Sequence, residues 1–219
     1  MATHSFVRAL AALSFDNCFN PYSDRCEVHD LPDAPQRRAA LLSAMLSRAQ
    51  SQDVDAVWIG RDLGYRGGRR TGLALTDDIH IVRHADRWGI SADRPTIGSA
   101  VSERTAAVIW SMLERIEAGI FLWNVFPLHP HDMGSPFTNR QHNVRERRAG
   151  EEVLGRLIQL LKPRRIVAIG NDAAMAVARL ESLVPIVSVR HPSYGGQRQF
   201  MDQISEMYSI IPTQQVGLF

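Results

Sequence analysis

Apolar positions along the chain follow two alternating rhythms. Four short runs are nearly continuous and rich in β-branched and aromatic residues: residues 54–60, Ile120–Phe126, Arg165–Ile169 and Ile186–Val189. Runs of this length, bounded by glycine, proline or charge, predict strands buried on both faces. Between them, apolar residues recur every three or four positions. Ala39, Leu42, Met45 and Leu46 mark a helix over about residues 35–49, with Asp33 as its cap. Thr105, Val108, Ile109, Met112, Leu113 and Ile116 mark another over 102–118, stopped by Gly119. Asn143 with Glu146 reads as a capping box for a helix that ends near Lys162, just before Pro163. Asn171 is expected to cap a helix running to about Leu180, and a last helix covers 197–210. A short helix is expected over 3–14, and loops over 19–22 and 32–35. Residues 73–97 have no clear period; 79–82 reads either as a short strand or as loop packed over a site.

Strands alternating with helices imply an α/β fold: one domain with a central four-stranded parallel sheet and helices on both faces. Residues 54–210 would form this core, preceded by N-terminal helices and a loop over 1–53. A chain of 219 residues, 45% hydrophobic, suits one well-cored domain. In such sheets ligands bind beyond the carboxyl ends of the strands. The distinctive polar residues fall there: Asp62 after the first strand, Asn124 near the end of the second, Asn171 after the third, His191 after the fourth. This topology brings them to one rim.

Charge and cysteines narrow the function classes only slightly. A net charge of +2 does not by itself mark a nucleic-acid binder. Cys18 and Cys26 are too few for an iron–sulfur cluster or a four-thiolate zinc site, and free thiols in a reducing cytoplasm are the simplest reading. The apolar N-terminus carries His4 and Arg8 and no typical cleavage site, and no apolar run reaches the length of a membrane span. A cytoplasmic monomer with no membrane contact is the expectation. His129 and His131, either side of Pro130 and without a carboxylate triad, are a weak metal signal; shaping the loop or touching DNA suits them better.

The first strand runs into a loop with Gly60, Gly64, Gly67, Gly68 and Gly72, together with Asp62, Arg66, Arg69 and Arg70. Glycines let backbone N–H groups approach a ligand, and arginines suit phosphate. A nucleotide or phosphoester hydrolase is one reading of that loop. A second reading comes from resemblance. Residues 60–65, with Gly60, Asp62 and Gly64, resemble the first signature of the uracil-DNA glycosylase superfamily, which carries a water-activating acid. Residues 123–129, with Asn124, resemble its strand supplying a uracil-reading asparagine, and His191, Pro192 and Ser193 resemble its second signature. Thr138, Asn139 and Arg140, read as opening the long helix, resemble the iron–sulfur branch.

The resemblance implies a monofunctional glycosylase that acts on uracil-containing DNA, hydrolyses the N-glycosidic bond and needs no cofactor or metal. It implies Asp62 and His191 as catalytic residues. Uracil would be held by Asn124, with Gly60, Arg61, Tyr65 and Leu75 around it. DNA would be held by Arg66, Arg69, Arg70, Ser193, Tyr194, Gly195, Gln197 and Arg198. The chain also departs from the pattern. Leu63 and Gly64 stand where the classical branch has proline and tyrosine. Leu75 stands in place of the phenylalanine that stacks on uracil, and Tyr65 is an alternative stacking group. The classical wedge leucine is absent, leaving Tyr194, Gln197 or Arg198 to fill the gap left by the base. With two cysteines the chain reads as a divergent, cluster-free member. The departures keep open a uracil- or abasic-DNA binder with little turnover, and a glycosylase for other deaminated or oxidised bases.

Overall fold

The computed structural model describes residues 3–180 and 182–211. Its centre is a four-stranded parallel sheet. β2 (Ala56–Asp62) lies between β3 (Ile120–Phe126) and β5 (Arg165–Ile169), and β6 (Ile186–Val189) pairs with the far side of β5, giving the order β3-β2-β5-β6. β1 (Cys18–Phe19) and β4 (His129–Pro130) form a separate antiparallel pair.

Side chains on successive strand positions point to opposite faces, and two cores follow. Val57, Ile59, Phe121, Trp123, Ile166 and Ala168 pack on one face. The helices there are α1 (Ser5–Ala11), α2 (Ala34–Gln50), α4 (Ile81–Asp86), α6 (Val144–Leu161) and α7 (Asn171–Val177). Ala56, Trp58, Leu122, Val167 and Ile169 pack on the other, under α5 (Arg104–Leu113) and α8 (Gln197–Met207). Helices on both faces explain why β2 and β3 read as unbroken apolar runs. β6 differs: Ile186 and Val187 are 40% and 37% exposed, because this edge strand, unlike the fully buried edge strand β3, is left partly uncovered.

Chain order places the functional edge. The chain leaves β2 for β3 on one side, then crosses to β5 on the other, so the crossovers diverge above the β2–β5 junction. A crevice opens at the carboxyl ends of strands where connections part in this way.

Several local expectations are corrected. Residues 79–82 are neither strand nor plain loop; they lead into α4, where the Asp77 carboxylate accepts from the Ile79 and His80 N–H groups at 3.1 Å each. Asn171 is the first residue of α7 and not its cap, which is Gly170 at φ 87°. Asp33 sits at the N-cap of α2, but its carboxylate binds Arg37 Nε at 2.8 Å and makes no capping bond. α5 ends at Leu113, because Arg87 takes up the carbonyls of Leu113, Ile116 and Ala118 at 2.9 Å each. Thr138, Asn139 and Arg140 precede α6 and do not open it; the capping box of Asn143 and Glu146 does. α3 (Gly68–Thr71) turns the glycine loop back under the site.

Candidate active site

β2 delivers Asp62 to the rim as its last residue. The side chain is 6% exposed and its two oxygens are held from two sides. Oδ2 accepts from Arg61 Nε at 2.8 Å, and Oδ1 is bound to Nδ1 of His142. Arg61 also reaches Asp172 Oδ2 at 3.2 Å. Each carboxylate oxygen has two lone pairs, so Asp62 keeps capacity to accept from a water.

Gly60 pairs with Asn124 across β2 and β3. A Cβ at Gly60 would lie 2.6 Å from Asn124 Oδ1 and 3.0 Å from Leu75 Cδ2, so the missing side chain makes room for the amide. Asn124 is 1% exposed, and neither its Oδ1 nor its Nδ2 has a hydrogen-bond partner. Leaving a buried amide unpaired costs about 1–3 kcal/mol for each group. Such an unpaired amide is rare in a protein interior. Beside it, Leu75 holds a left-handed backbone (φ 53°), fixed by Trp110 Nε1 donating to its carbonyl at 3.1 Å.

His191 follows β6 and faces the same cleft. Ser193 N donates to its Nδ1 at 3.2 Å, and Ser193 Oγ lies 2.6 Å from the same atom. Nδ1 is thus the acceptor of the ring, and the neutral tautomer carries its proton on Nε2. Burial, then Arg61 and Arg190, push the imidazole below its ordinary pKa and favour that neutral form. Gly170 permits this placement: a Cβ there would meet His191 Cβ at 3.0 Å.

Asp62, Leu75 and His191 line a cleft of about 530 Å³, together with Leu63, Glu103 and Asn171 among others. Gly60 and Asn124 are not part of that wall; Gly60 lies against both the Asn124 amide oxygen and Leu75, which is part of it. Arg61, Arg140, Arg190, Ser193 and Tyr194 also line it. Tyr194 is 97% exposed on a left-handed turn (φ 52°) with Gly195 (φ 77°).

The structure does not gather every residue named from sequence. Arg69 and Arg70 are buried: Arg70 pairs with Asp78 at 2.7 Å, and Arg69 lies 3.7 Å from the centre of the Phe19 ring and 3.2 Å from His129 Nδ1. They brace the loop from within and are not turned to a phosphate. Tyr65 is not part of the cleft wall; its hydroxyl accepts from Arg66 Nε at 2.8 Å, and Arg66 itself is exposed. Gln197 and Arg198 are exposed at the start of α8, outside the cleft. His129 is engaged at both nitrogens, by Arg69 and by Thr138 O at 2.8 Å, and burial pushes its pKa down to about 3. That is loop bracing. Among the described residues no group of three or more His, Cys, Asp or Glu is arranged to hold a metal.

Sequence reasoning missed His142 and Glu103. His142 sits directly before the capping box, which fixes its backbone; that was the available signal. Glu103 stood hidden at the start of an amphipathic helix, where an acid is ordinary.

The family model "Uracil DNA glycosylase superfamily" matches residues 48–210. Among solved structures, wild-type SMUG2 from Pedobacter heparinus shares the fold with a TM-score of 0.62 at 15% identity, covering 93% of this chain and 95% of that one. A mutant UNG from Nitratifractor salsuginis gives 0.45 at 19% identity, covering 80% and 78%. No curated protein matches.

Proposed function

Because the chain belongs to the uracil DNA glycosylase superfamily, we propose that it hydrolyses the N-glycosidic bond of deoxyuridine in DNA, releasing uracil and leaving an abasic site. The observation that carries this reading is the unpartnered amide of Asn124, beside a cleft that also holds Asp62 and His191. An amide offers one acceptor and two donors. Its carbonyl accepts the uracil ring N–H, and its NH₂ donates to the adjacent carbonyl. Cytosine presents the reverse pattern and leaves two buried groups unpaired, a strong rejection.

The base must first leave the stack. Tyr194, exposed at the mouth of the cleft, fills the gap it leaves, while Arg66 and the N–H groups around Ser193 and Gly195 hold the bent backbone. As the bond to uracil stretches, negative charge grows on the base. The Nε2–H of His191 donates to a uracil carbonyl and stabilises that charge. Asp62, oriented by Arg61 and His142, directs a water to the sugar carbon and stabilises its cationic character. Water is the only other reactant, and no covalent link to the protein forms.

Incubation with a uracil-containing oligonucleotide followed by alkali tests the proposal. Strand scission at uracil, with free uracil released, is expected. Asp62 already has Arg61 on one oxygen and His142 on the other, which supports one other reading, a protein that binds uracil or abasic DNA with little turnover. A retarded complex without scission would establish that reading in place of the first.

A further inference from the structure

Most charged groups in the cleft wall have a protein partner. Arg61 holds Asp62 and Asp172, and Arg140 holds Glu146. Glu103 does not: among the described residues its carboxyl makes neither an ion pair nor a hydrogen bond, although it lines the cleft beside Gly64 and Thr105. The glycine loop is shaped around this carboxyl. A Cβ at Gly67 would collide with Glu103 Oε2, and one at Gly64 would come to 3.2 Å from Oε1. Two positions without side chains thus keep an uncompensated acid facing the site.

We propose that Glu103 contacts the extruded base, donating a hydrogen bond to it as a neutral carboxyl while the base departs, and opposing departure once ionised. This rests on the glycosylase reading and extends it to a third base-contacting group beside Asn124 and His191. The physical reason is charge. The departing base becomes anionic in a confined, weakly screened site, where a hydrogen-bond donor lowers the barrier and a second negative charge raises it.

The protonation state fits. Burial, then the Asp77 carboxylate, push Glu103 up to about 7. Asp77 is close because it accepts from Glu103 N at 2.7 Å, and its charge is fixed by His80 Nδ1 at 2.6 Å. Arg104 adjoins Glu103 on α5, and Arg66 and Arg69 lie on the loop beside it; neither of these nor Arg104 forms an ion pair with it. Across the cleft stand Arg61 and Asp62, paired with each other, and Arg140, Arg190 and His191.

The test is single-turnover release of uracil, with enzyme in excess, from about pH 6 to about pH 9. Wild type should lose rate above neutrality, approaching about tenfold per pH unit. Glu103→Gln, which keeps a donor and cannot ionise, should remove that alkaline limb. Asp77→Asn, which removes the neighbouring charge, should move the limb to lower pH and keep its shape. Release by wild type with no alkaline limb, or a limb that survives in Glu103→Gln, overturns the assignment while leaving the glycosylase reading intact. No release at any pH overturns both. Should Glu103→Gln fail to fold, the direction of the Asp77→Asn shift decides: an unmoved limb overturns the role of Glu103.

Discussion

At the scale of single residues, the site depends on three side chains having different electrical states. On the proposed reading Asp62 holds the water, His191 is neutral and Asn124 stays unpaired until a base arrives. Asp62→Asn removes the acceptor that directs water and should slow base release by roughly a hundredfold to ten-thousandfold. His191→Ala removes the donor to the leaving base and should cost roughly a hundredfold to a thousandfold. Both should bind a uracil oligonucleotide about as well as wild type, which single-turnover kinetics beside a binding titration will check; equal losses in binding and rate would refute the assigned roles. The sign of the acid dependence follows from His191. Burial and two arginines lower its pKa, so the neutral ring persists below the ordinary imidazole range. The acid loss of activity due to this ring should therefore lie below that range. Gly60→Ala tests the amide directly. Its methyl would press on Asn124 Oδ1, at 2.6 Å, and should weaken discrimination between uracil and cytosine with a modest loss of stability, about 1–3 kcal/mol.

At the scale of elements, α6 and the loop before it do more than cover the sheet. Asn143 and Glu146 cap the helix reciprocally, with Glu146 N donating to Asn143 Oδ1 at 3.0 Å and Asn143 N to Glu146 Oε2 at 2.7 Å. His142, one residue earlier, holds Asp62. Asn143→Ala should cost about 1 kcal/mol in thermal or denaturant unfolding, and it should also slow base release, because the cap fixes the backbone that carries His142. Asn143→Asp, which restores a cap acceptor, should recover both; recovery of stability alone would uncouple the cap from the site. The sequence made this box legible, since its spacing is a local signature. It also made the sheet strands legible: β2, β3 and β5 because residues buried on both faces leave continuous apolar runs, and the more exposed β6 as a short β-branched run after Pro185. It did not reveal α4, which is only six residues long and is led in by local bonds from the Ile79 and His80 N–H groups to Asp77, not by a hydrophobic period. Nor did it show that Arg69 and Arg70 turn inward. Their partners, Asp78, Phe19 and His129, are brought to them by the fold, and a glycine-rich loop with arginines reads the same from sequence whether its cations face phosphate or protein. That Asp62 and His191 would line one cleft was readable because strand ends in a parallel sheet share one rim. Glu103 and His142 arrive from a helix start and a long loop, where no period announces them.

At the scale of the whole molecule, the proposed approach of DNA runs past the exposed Arg66 and past Tyr194 in the cleft wall. Arg66→Ala should weaken binding similarly across sequences and reduce the salt dependence of the affinity by about one unit of slope, if the residue meets one phosphate. Tyr194→Ala should slow release from duplex more than from single-stranded DNA, because only a duplex has a stack to fill; equal effects on both would remove Tyr194 from that role. No helix among the described residues is long and apolar enough to cross a membrane. The sheet order places the β2–β5 junction, and with it Asp62 and the start of α7, at the point where connections diverge. On the glycosylase reading, a single extruded pyrimidine meets the amide of Asn124, the imidazole of His191 and the water held by Asp62 together. A crystal structure of Asp62→Asn bound to a uracil-containing oligonucleotide measures this directly. The account predicts the uracil ring out of the stack, with its N–H and a carbonyl on the Asn124 amide and its other carbonyl on His191 Nε2. A uracil bound elsewhere on the protein, or left stacked with Asn124 still unpaired, would contradict it.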